Sequence, residues 1–120
     1  MERIIPADIY ENKPCSFVAL GCAMDDYGYT DSEIYESAKL RADGYLTLDE
    51  MNRYIRDHVN IRKKVYYKRS IRKTLKDFLS DNKSRAIICV TGHYIYADGS
   101  IYYSYYDNFK DEVVCVWYMK

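Results

Sequence analysis

The sequence lacks an excess of charge of either sign. Its 120 residues include 18 lysines and arginines and 18 aspartates and glutamates, so the formal net charge is zero. A neutral chain has no overall field that would draw it to nucleic acid, to an anionic membrane or to an acidic substrate. The charge as a whole therefore gives no reason to expect nucleic-acid binding.

Long hydrophobic runs are also missing. No apolar segment approaches the roughly 20 residues that a membrane-spanning helix needs, so no association with a membrane is predicted. Residues 1–8 (MERIIPAD) lack the apolar stretch of a secretory signal. We therefore expect the protein to work in a reducing cytoplasm.

Paired metal ligands are absent as well. The cysteines are Cys15, Cys22, Cys89 and Cys115, with no Cys-x-x-Cys spacing among them, and the chain has two histidines. Structural zinc sites nearly always have paired ligands in the sequence. No metal and no other cofactor is predicted.

The length indicates a single domain over residues 1–120, because a chain of this size is too short for two ordinary cores. It contains no internal repeat and no linker-like segment. Residues 15–24, directly after Pro14, are apolar on nearly every side. Proline is favoured in the first turn of a helix, and a helix that is apolar all round is buried. We therefore predict a buried helix that begins next to Pro14.

Three further helices are predicted from their caps and spacing. One starts at Thr30 or the next residue and runs through Leu40, and one starts at Thr47 and ends at Asn60. Each has a glutamate three residues after the cap, which is the capping-box pattern. A fourth is predicted to start at Ser70, because apolar residues follow it at helical spacing.

The second half of the chain changes to strand patterns. The β-prone runs are residues 65–67, 86–90, 93–97, 101–105 and 113–118. Asp98 and Gly99, between two of these runs, are a strong signal for a two-residue hairpin turn. Helices followed by hairpin-connected strands predict an α+β fold, in which N-terminal helices pack on a C-terminal antiparallel sheet.

Residues 62–76 contain eight lysines and arginines, no acidic residue, and the pair Tyr66 and Tyr67. Basic residues interleaved with aromatic ones are typical of proteins that bind single-stranded nucleic acid. They are also compatible with a solvated surface whose charge is balanced elsewhere. The neutral net charge and the lack of a known nucleic-acid-binding motif favour the solvated surface.

One cysteine and one histidine have positions suited to catalysis. Cys15 is predicted at a helix N-terminus, where free N–H groups and the helix dipole stabilise a thiolate. The other three cysteines lie deeper in apolar segments, as structural cysteines do. His93 follows Gly92 at the start of a predicted strand, whereas His58 is predicted near a helix C-terminus, where a histidine is favourable to the dipole. A helix-start cysteine followed much later by a strand histidine is the order of Cys-His hydrolases.

Residues 14–20 (PCSFVAL) resemble the nucleophile helix of papain-like cysteine peptidases, including the branch that cleaves double-glycine leaders. Residues 91–99 (TGHYIYADG) resemble the Gly-His strand and Asp-Gly turn of small papain-like proteins, many of them encoded by phages. The resemblance covers residues 8–24 and 70–119. It implies a papain-like fold and, for a phage protein, the cytoplasm of the host.

The resemblance also implies a mechanism. Cys15 would attack a carbonyl carbon while His93 takes and returns the proton. The oxyanion would be held by the backbone N–H of Cys15 and by a side-chain amide upstream, for which Asn12 is the candidate. Asn12 has an equally ordinary interpretation as a helix-capping residue.

The third catalytic residue is where the sequence departs from the family. A turn at Asp98 and Gly99 would place Ser104 opposite His93, with Tyr103 beside it. The nearest carboxylate is Asp107, which a bulge or a longer turn would bring to the His93 ring. If Asp107 does not reach the ring, either a hydroxyl orients the His93 imidazole or the catalytic activity is impaired.

These observations leave three functions open. The first is a cysteine hydrolase or acyl transferase that acts on a peptide or isopeptide-like bond in a peptide or protein substrate. The second is a catalytically impaired papain-like module that binds a host protein. The third, and least favoured, is a nucleic-acid-binding domain that uses residues 62–76. The oligomeric state has no signal in the sequence.

Overall fold

All six strands in the described part of the chain belong to one mixed sheet. The computed structural model describes residues 2–38 and 46–120. The helices are α1 (Cys15–Asp26), α2 (Asp31–Ala38), α3 (Leu48–Arg56) and α4 (Leu75–Asp81). The strands are β1 (Glu2–Ile4), β2 (Ile61–Tyr66), β3 (Arg85–Val90), β4 (His93–Asp98), β5 (Ile101–Tyr103) and β6 (Val113–Met119). The predicted α+β class is confirmed, while one domain over residues 1–120 stays a prediction.

The sheet has the strand order β1-β5-β4-β3-β6-β2. Adjacent strands of the sheet are antiparallel, except that β1 is parallel to β5. The prediction of a wholly antiparallel, C-terminal sheet is therefore wrong at β1, whereas β2, at the other edge, is antiparallel and overlaps the predicted run 65–67. β1 is too short to show an alternating pattern, and the cations at the start of β2 explain why the predicted run 65–67 includes only the end of that strand. Lysine is common on edge strands because it discourages pairing with other chains.

Helices cover the sheet on both faces. Buried residues of α1, α2 and α3 pack with Ile87 and Cys89 of β3, whereas α4 packs with Ile88 and Val90 on the opposite face. Side chains of a strand alternate between faces, so a strand covered on both sides is apolar throughout. This explains why residues 86–90 form a continuous apolar run.

The buried helix begins where the sequence predicts. Pro14 is the N-cap of α1, and residues 16–24 are all buried against the sheet and the neighbouring helices. The helix passes so close to Tyr10 that Gly21 leaves no room for a β-carbon without moving that ring. Glycine is therefore required at this crossing.

The two predicted capping boxes are present. Thr30 and Glu33 exchange hydrogen bonds at the start of α2, and Thr47 and Glu50 do so at the start of α3. The extension of α2 to Leu40 lies outside the described residues. The helix α3 ends at Arg56, four residues before the predicted end.

The predicted start of the fourth helix at Ser70 is wrong. Ser70 lies in a short 3₁₀ turn, and Arg72 then adopts a left-handed conformation with φ 49°. Thr74 caps α4 instead, accepting a hydrogen bond from the N–H of Asp77. An acidic residue at the third position of a helix suits the dipole, whereas the third residue after Ser70 is Lys73.

Candidate active site

Cys15 is the first residue of α1 and is half-buried. No side chain caps this end of the helix, because the N-cap is Pro14. The first helical hydrogen bond joins the N–H of Val18 to the carbonyl of Pro14, so the N–H groups before Val18 have no partner within the helix. These groups are available to an anion beside the Cys15 thiol.

His93 is the first residue of β4, the strand on which α1 packs most extensively. Cys15, His93 and Asn12 line one cleft of about 380 Å³, the Cys15 cleft, which Tyr103, Ser104 and Tyr106 also line. The elements thus bring the predicted nucleophile, base and amide to the same cavity. Packing of α1 on β4 is what places a helix start next to a strand start.

The β-hairpin that follows His93 turns one residue later than predicted. Asp98 pairs with Ile101, so the turn residues are Gly99, with φ 62°, and Ser100. Tyr103 therefore pairs with Tyr96 and does not lie beside His93 in the ladder. The prediction of an Asp98-Gly99 turn is wrong because Asp98 remains in the strand.

Ser104 nevertheless lies against His93. The chain leaves the ladder after Tyr103, and the Oγ of Ser104 is 3.4 Å from Nε2 of His93. The same hydroxyl donates a hydrogen bond to Oδ1 of Asn108 at 2.7 Å and accepts one from the N–H of Tyr106. Because its single proton is given to Asn108, Ser104 can only accept from His93.

Asp111 fixes the orientation of this chain of hydrogen bonds. The Asn108 amide donates from Nδ2 to Oδ2 of Asp111 at 2.7 Å, so its oxygen faces Ser104. Ser104 therefore accepts a hydrogen bond from the Nε2–H of His93, which leaves Nδ1 of the neutral imidazole as the proton acceptor. The relay of Asp111, Asn108, Ser104 and His93 thus selects the tautomer of a general base.

Asp107 takes a different position. Its side chain is exposed, and Oδ1 accepts a hydrogen bond from the N–H of Phe109. In the described residues the polar side chain that contacts the His93 ring is Ser104, with Asn108 and Asp111 behind it. Asn108 and Asp111 are not identified from the sequence.

Asn12 does not cap α1, because Pro14 occupies that position. Its backbone has φ 61°, a left-handed conformation that asparagine tolerates better than most residues. The side chain is exposed and lines the Cys15 cleft. It is therefore free to donate to a ligand in the cleft.

The wall of the cleft beyond His93 is aromatic. The rings of His93 and Tyr106 meet edge to face with centroids 5.9 Å apart, and Tyr106 is 67% exposed. Tyr105 donates its hydroxyl to the carbonyl of Ala7, which ties this wall to the N-terminal segment. Exposed aromatic surface at a cleft suits contact with a partly apolar ligand.

Burial lowers the pKa of His93, and the negative charge of Asp111 partly opposes this effect. The imidazole is therefore neutral at pH 7, as a general base must be. Burial raises the pKa of the Cys22 and Cys89 thiols to about 12 and that of Cys115 to about 11. These three thiols are inert by comparison with a half-buried one.

His58 belongs to a different surface. Its Nδ1 lies 2.7 Å from the carbonyl oxygen of Tyr54, near the C-terminus of α3, as expected for a histidine at a helix end. A larger cleft of about 580 Å³ includes His58 but no cysteine. Size alone does not identify the site, and this cleft offers no thiol or serine hydroxyl beside its histidine.

Comparisons with known proteins give no relative: no family model, no curated protein and no solved structure matches the chain. Among the described residues, no group of three or more His, Cys, Asp or Glu is placed to hold a metal ion. In residues 2–38 and 46–120, none of the helices is both long and apolar enough to span a membrane.

Proposed function

We propose that this protein is a papain-like cysteine hydrolase that acts on a peptide or isopeptide-like bond. The observation that carries the proposal is that Cys15, His93 and Asn12 line the same cleft, each in a conformation suited to its role. A helix-start thiol that shares a cleft with a base whose proton is held away from it is the arrangement that nucleophilic catalysis by cysteine requires.

In the proposed reaction, Nδ1 of His93 takes the proton from the Cys15 thiol. The thiolate attacks the carbonyl carbon, and the oxyanion accepts hydrogen bonds from the N–H of Cys15 and from the Asn12 amide. His93 then gives its proton to the leaving amine, and water releases the acyl group from Cys15. Throughout, Ser104 holds Nε2, so the ring keeps its orientation.

The substrate would be a segment of peptide or protein whose side chain packs against Val18 or the tyrosines of the cleft. The proposal places this reaction in the cytoplasm, or in the host cytoplasm for a phage protein. All four cysteines are free thiols, which is the state that a reducing compartment maintains.

A second candidate is a papain-like module that has lost activity and binds a host protein. The contact that favours it is the neutral hydroxyl of Ser104 at 3.4 Å from His93, where a carboxylate or amide would hold the ring more strongly. Tight capture of one partner, unchanged by Cys15→Ala and without any product, would support this candidate over the enzyme.

The deciding experiment is alkylation of the folded protein with iodoacetamide from pH 5 to 9, with each cysteine mapped by mass spectrometry. We expect Cys15 to react at least about tenfold faster than the three buried thiols, which serve as internal standards. His93→Ala should slow Cys15 substantially, whereas the matched control His58→Ala should not. Equal rates in wild type and His93→Ala would contradict the proposed base.

A further inference from the structure

A second cleft lies on the opposite face of the sheet from Cys15. This basic cleft has a volume of about 300 Å³. Its lining includes one carboxylate, that of Asp81. It also includes four cations and two tyrosines: Arg62, Lys63, Lys73 and Lys83, and Tyr67 and Tyr118. It shares no lining residue with the Cys15 cleft.

The basic cleft keeps an excess of positive charge, since four cations face one carboxylate. Among residues 2–38 and 46–120, the one ion pair joins Arg85 to Asp26, so none of the four cations is paired with a carboxylate. Arg62 and Lys63 instead lie 5.5 and 5.0 Å from the centre of the Tyr118 ring. The chain is neutral overall, yet this surface keeps a positive potential that attracts an anion.

The aromatic side chains give the cleft a second property. Tyr67 and Tyr118 are half-buried and pack on the hydrophobic cluster of this face. Because Arg62 and Lys63 already lie over the Tyr118 ring, Tyr67 is the tyrosine suited to contact a ligand. A fixed ring beside cations suits a ligand that combines a phosphate with a flat aromatic base. An acidic peptide would use the charges but not the rings.

We propose that the basic cleft binds single-stranded nucleic acid, with phosphates on the cations and a base against Tyr67. A strand is favoured over a single nucleotide because further exposed cations, Lys68, Arg69 and Arg72, lie in the segment of chain between the lining residues Tyr67 and Lys73. Their spread provides contacts for successive phosphates. On this proposal residues 62–76 contribute to a binding surface, and not only to the solvated surface that the neutral net charge favoured.

The test is fluorescence anisotropy with a labelled 12-nucleotide strand of deoxythymidine between 20 and 200 mM NaCl. Each phosphate contacted on a single strand contributes about −0.7 to the slope of log affinity against log salt, so four contacts give about −3. Affinity should therefore fall roughly 50-fold from 50 to 200 mM salt. Absence of binding at 20 mM salt would overturn the proposal.

Charge variants locate the binding. The double variant Lys73→Gln and Lys83→Gln should weaken binding and reduce the slope by about 1.4, since two phosphate contacts are lost. Arg53→Gln, which removes an exposed cation from α3 on the other face, should leave binding unchanged; an equal loss there would refute the assigned cleft.

Two further measurements complete the test. If polyglutamate displaces the labelled strand as well as the unlabelled 12-nucleotide strand does, the stacking role of Tyr67 is refuted. Cys15→Ala should retain full binding, so failure of the proposed hydrolase and failure of this site are separable.

Discussion

The hydroxyl of Ser104 offers the sharpest perturbation of the proposed active site. Ser104 is 1% exposed, and its Oγ is shared by His93, Asn108 and the N–H of Tyr106. Ser104→Ala removes the acceptor that holds the proton on Nε2 of His93. The imidazole is then free to move its proton to Nδ1, and that tautomer cannot accept a proton from Cys15.

The size of the effect follows from the contacts. A net hydrogen bond at the long distance of 3.4 Å contributes about 0.5–1 kcal/mol, which is a factor of about 2–5 in the tautomer ratio. The alkylation rate follows the fraction of His93 with a free Nδ1, which changes by less than the ratio, so we expect the rate for Cys15 to fall by up to about fivefold in Ser104→Ala. The same change leaves the buried amide of Asn108 without a donor, so the free energy of unfolding should fall by about 1–3 kcal/mol.

The assay measures alkylation of Cys15 at pH 7 in wild type, Ser104→Ala and His93→Ala, well below the unfolding temperature. The rates should rank in that order, with Ser104→Ala between the other two. The buried thiols Cys22 and Cys89 report any unfolded fraction, which separates lost stability from lost orientation. A Ser104→Ala variant that is less stable, but in which Cys15 is alkylated at the wild-type rate, would refute the relay.

Three further predictions follow from burial. Ser16→Ala should leave the free energy of unfolding unchanged or raise it by up to about 1 kcal/mol in urea titration, because the buried Ser16 hydroxyl has no hydrogen-bond partner; a clear loss would contradict this. Gly21→Ala should destabilise by about 1–3 kcal/mol in the same titration, because the new methyl group overlaps Tyr10; wild-type stability would show that the ring yields. The free energy of unfolding should fall as the pH drops below the ordinary histidine pKa of 6.5, because burial lowers the pKa of folded His93 and the unfolded chain binds the proton more tightly. His93→Gln should flatten this pH dependence, and an unchanged profile in that variant would contradict the prediction.

Local chemistry made much of the fold predictable. The start of α1 at Pro14 and the capping boxes at Thr30 and Thr47 depend on neighbouring residues alone, so the sequence contains all that is needed. The start of α4 was wrong because two hydroxyl residues compete four positions apart. The charge at the third following residue, not the hydroxyl itself, selects Thr74 over Ser70.

Pairing between distant segments was much harder to predict. The parallel pairing of β1 with β5 joins residues about 100 positions apart, and no local pattern encodes it. The turn after Asp98 is displaced by one residue, which changes every partner along the hairpin. Ser104 was identified as a neighbour of His93 by counting from the wrong turn, and it reaches the ring only because the chain leaves the ladder.

The roles of Cys15 and His93 were accessible because each depends on the end of one element. The relay that orients His93 could not be predicted, since it depends on where the loop between β5 and β6 is anchored. That loop is tied to the opposite layer: the N–H groups of Leu75 and Lys76 at the start of α4 donate to the carbonyls of Asp111 and Phe109. The unpaired amides of a helix start thus hold the residue that orients His93 from the other side of the sheet. Both layers of helices therefore contribute to the proposed site, α1 through its thiol and α4 through the loop it fixes, so substitutions at the start of α4 should affect His93 without touching the cleft.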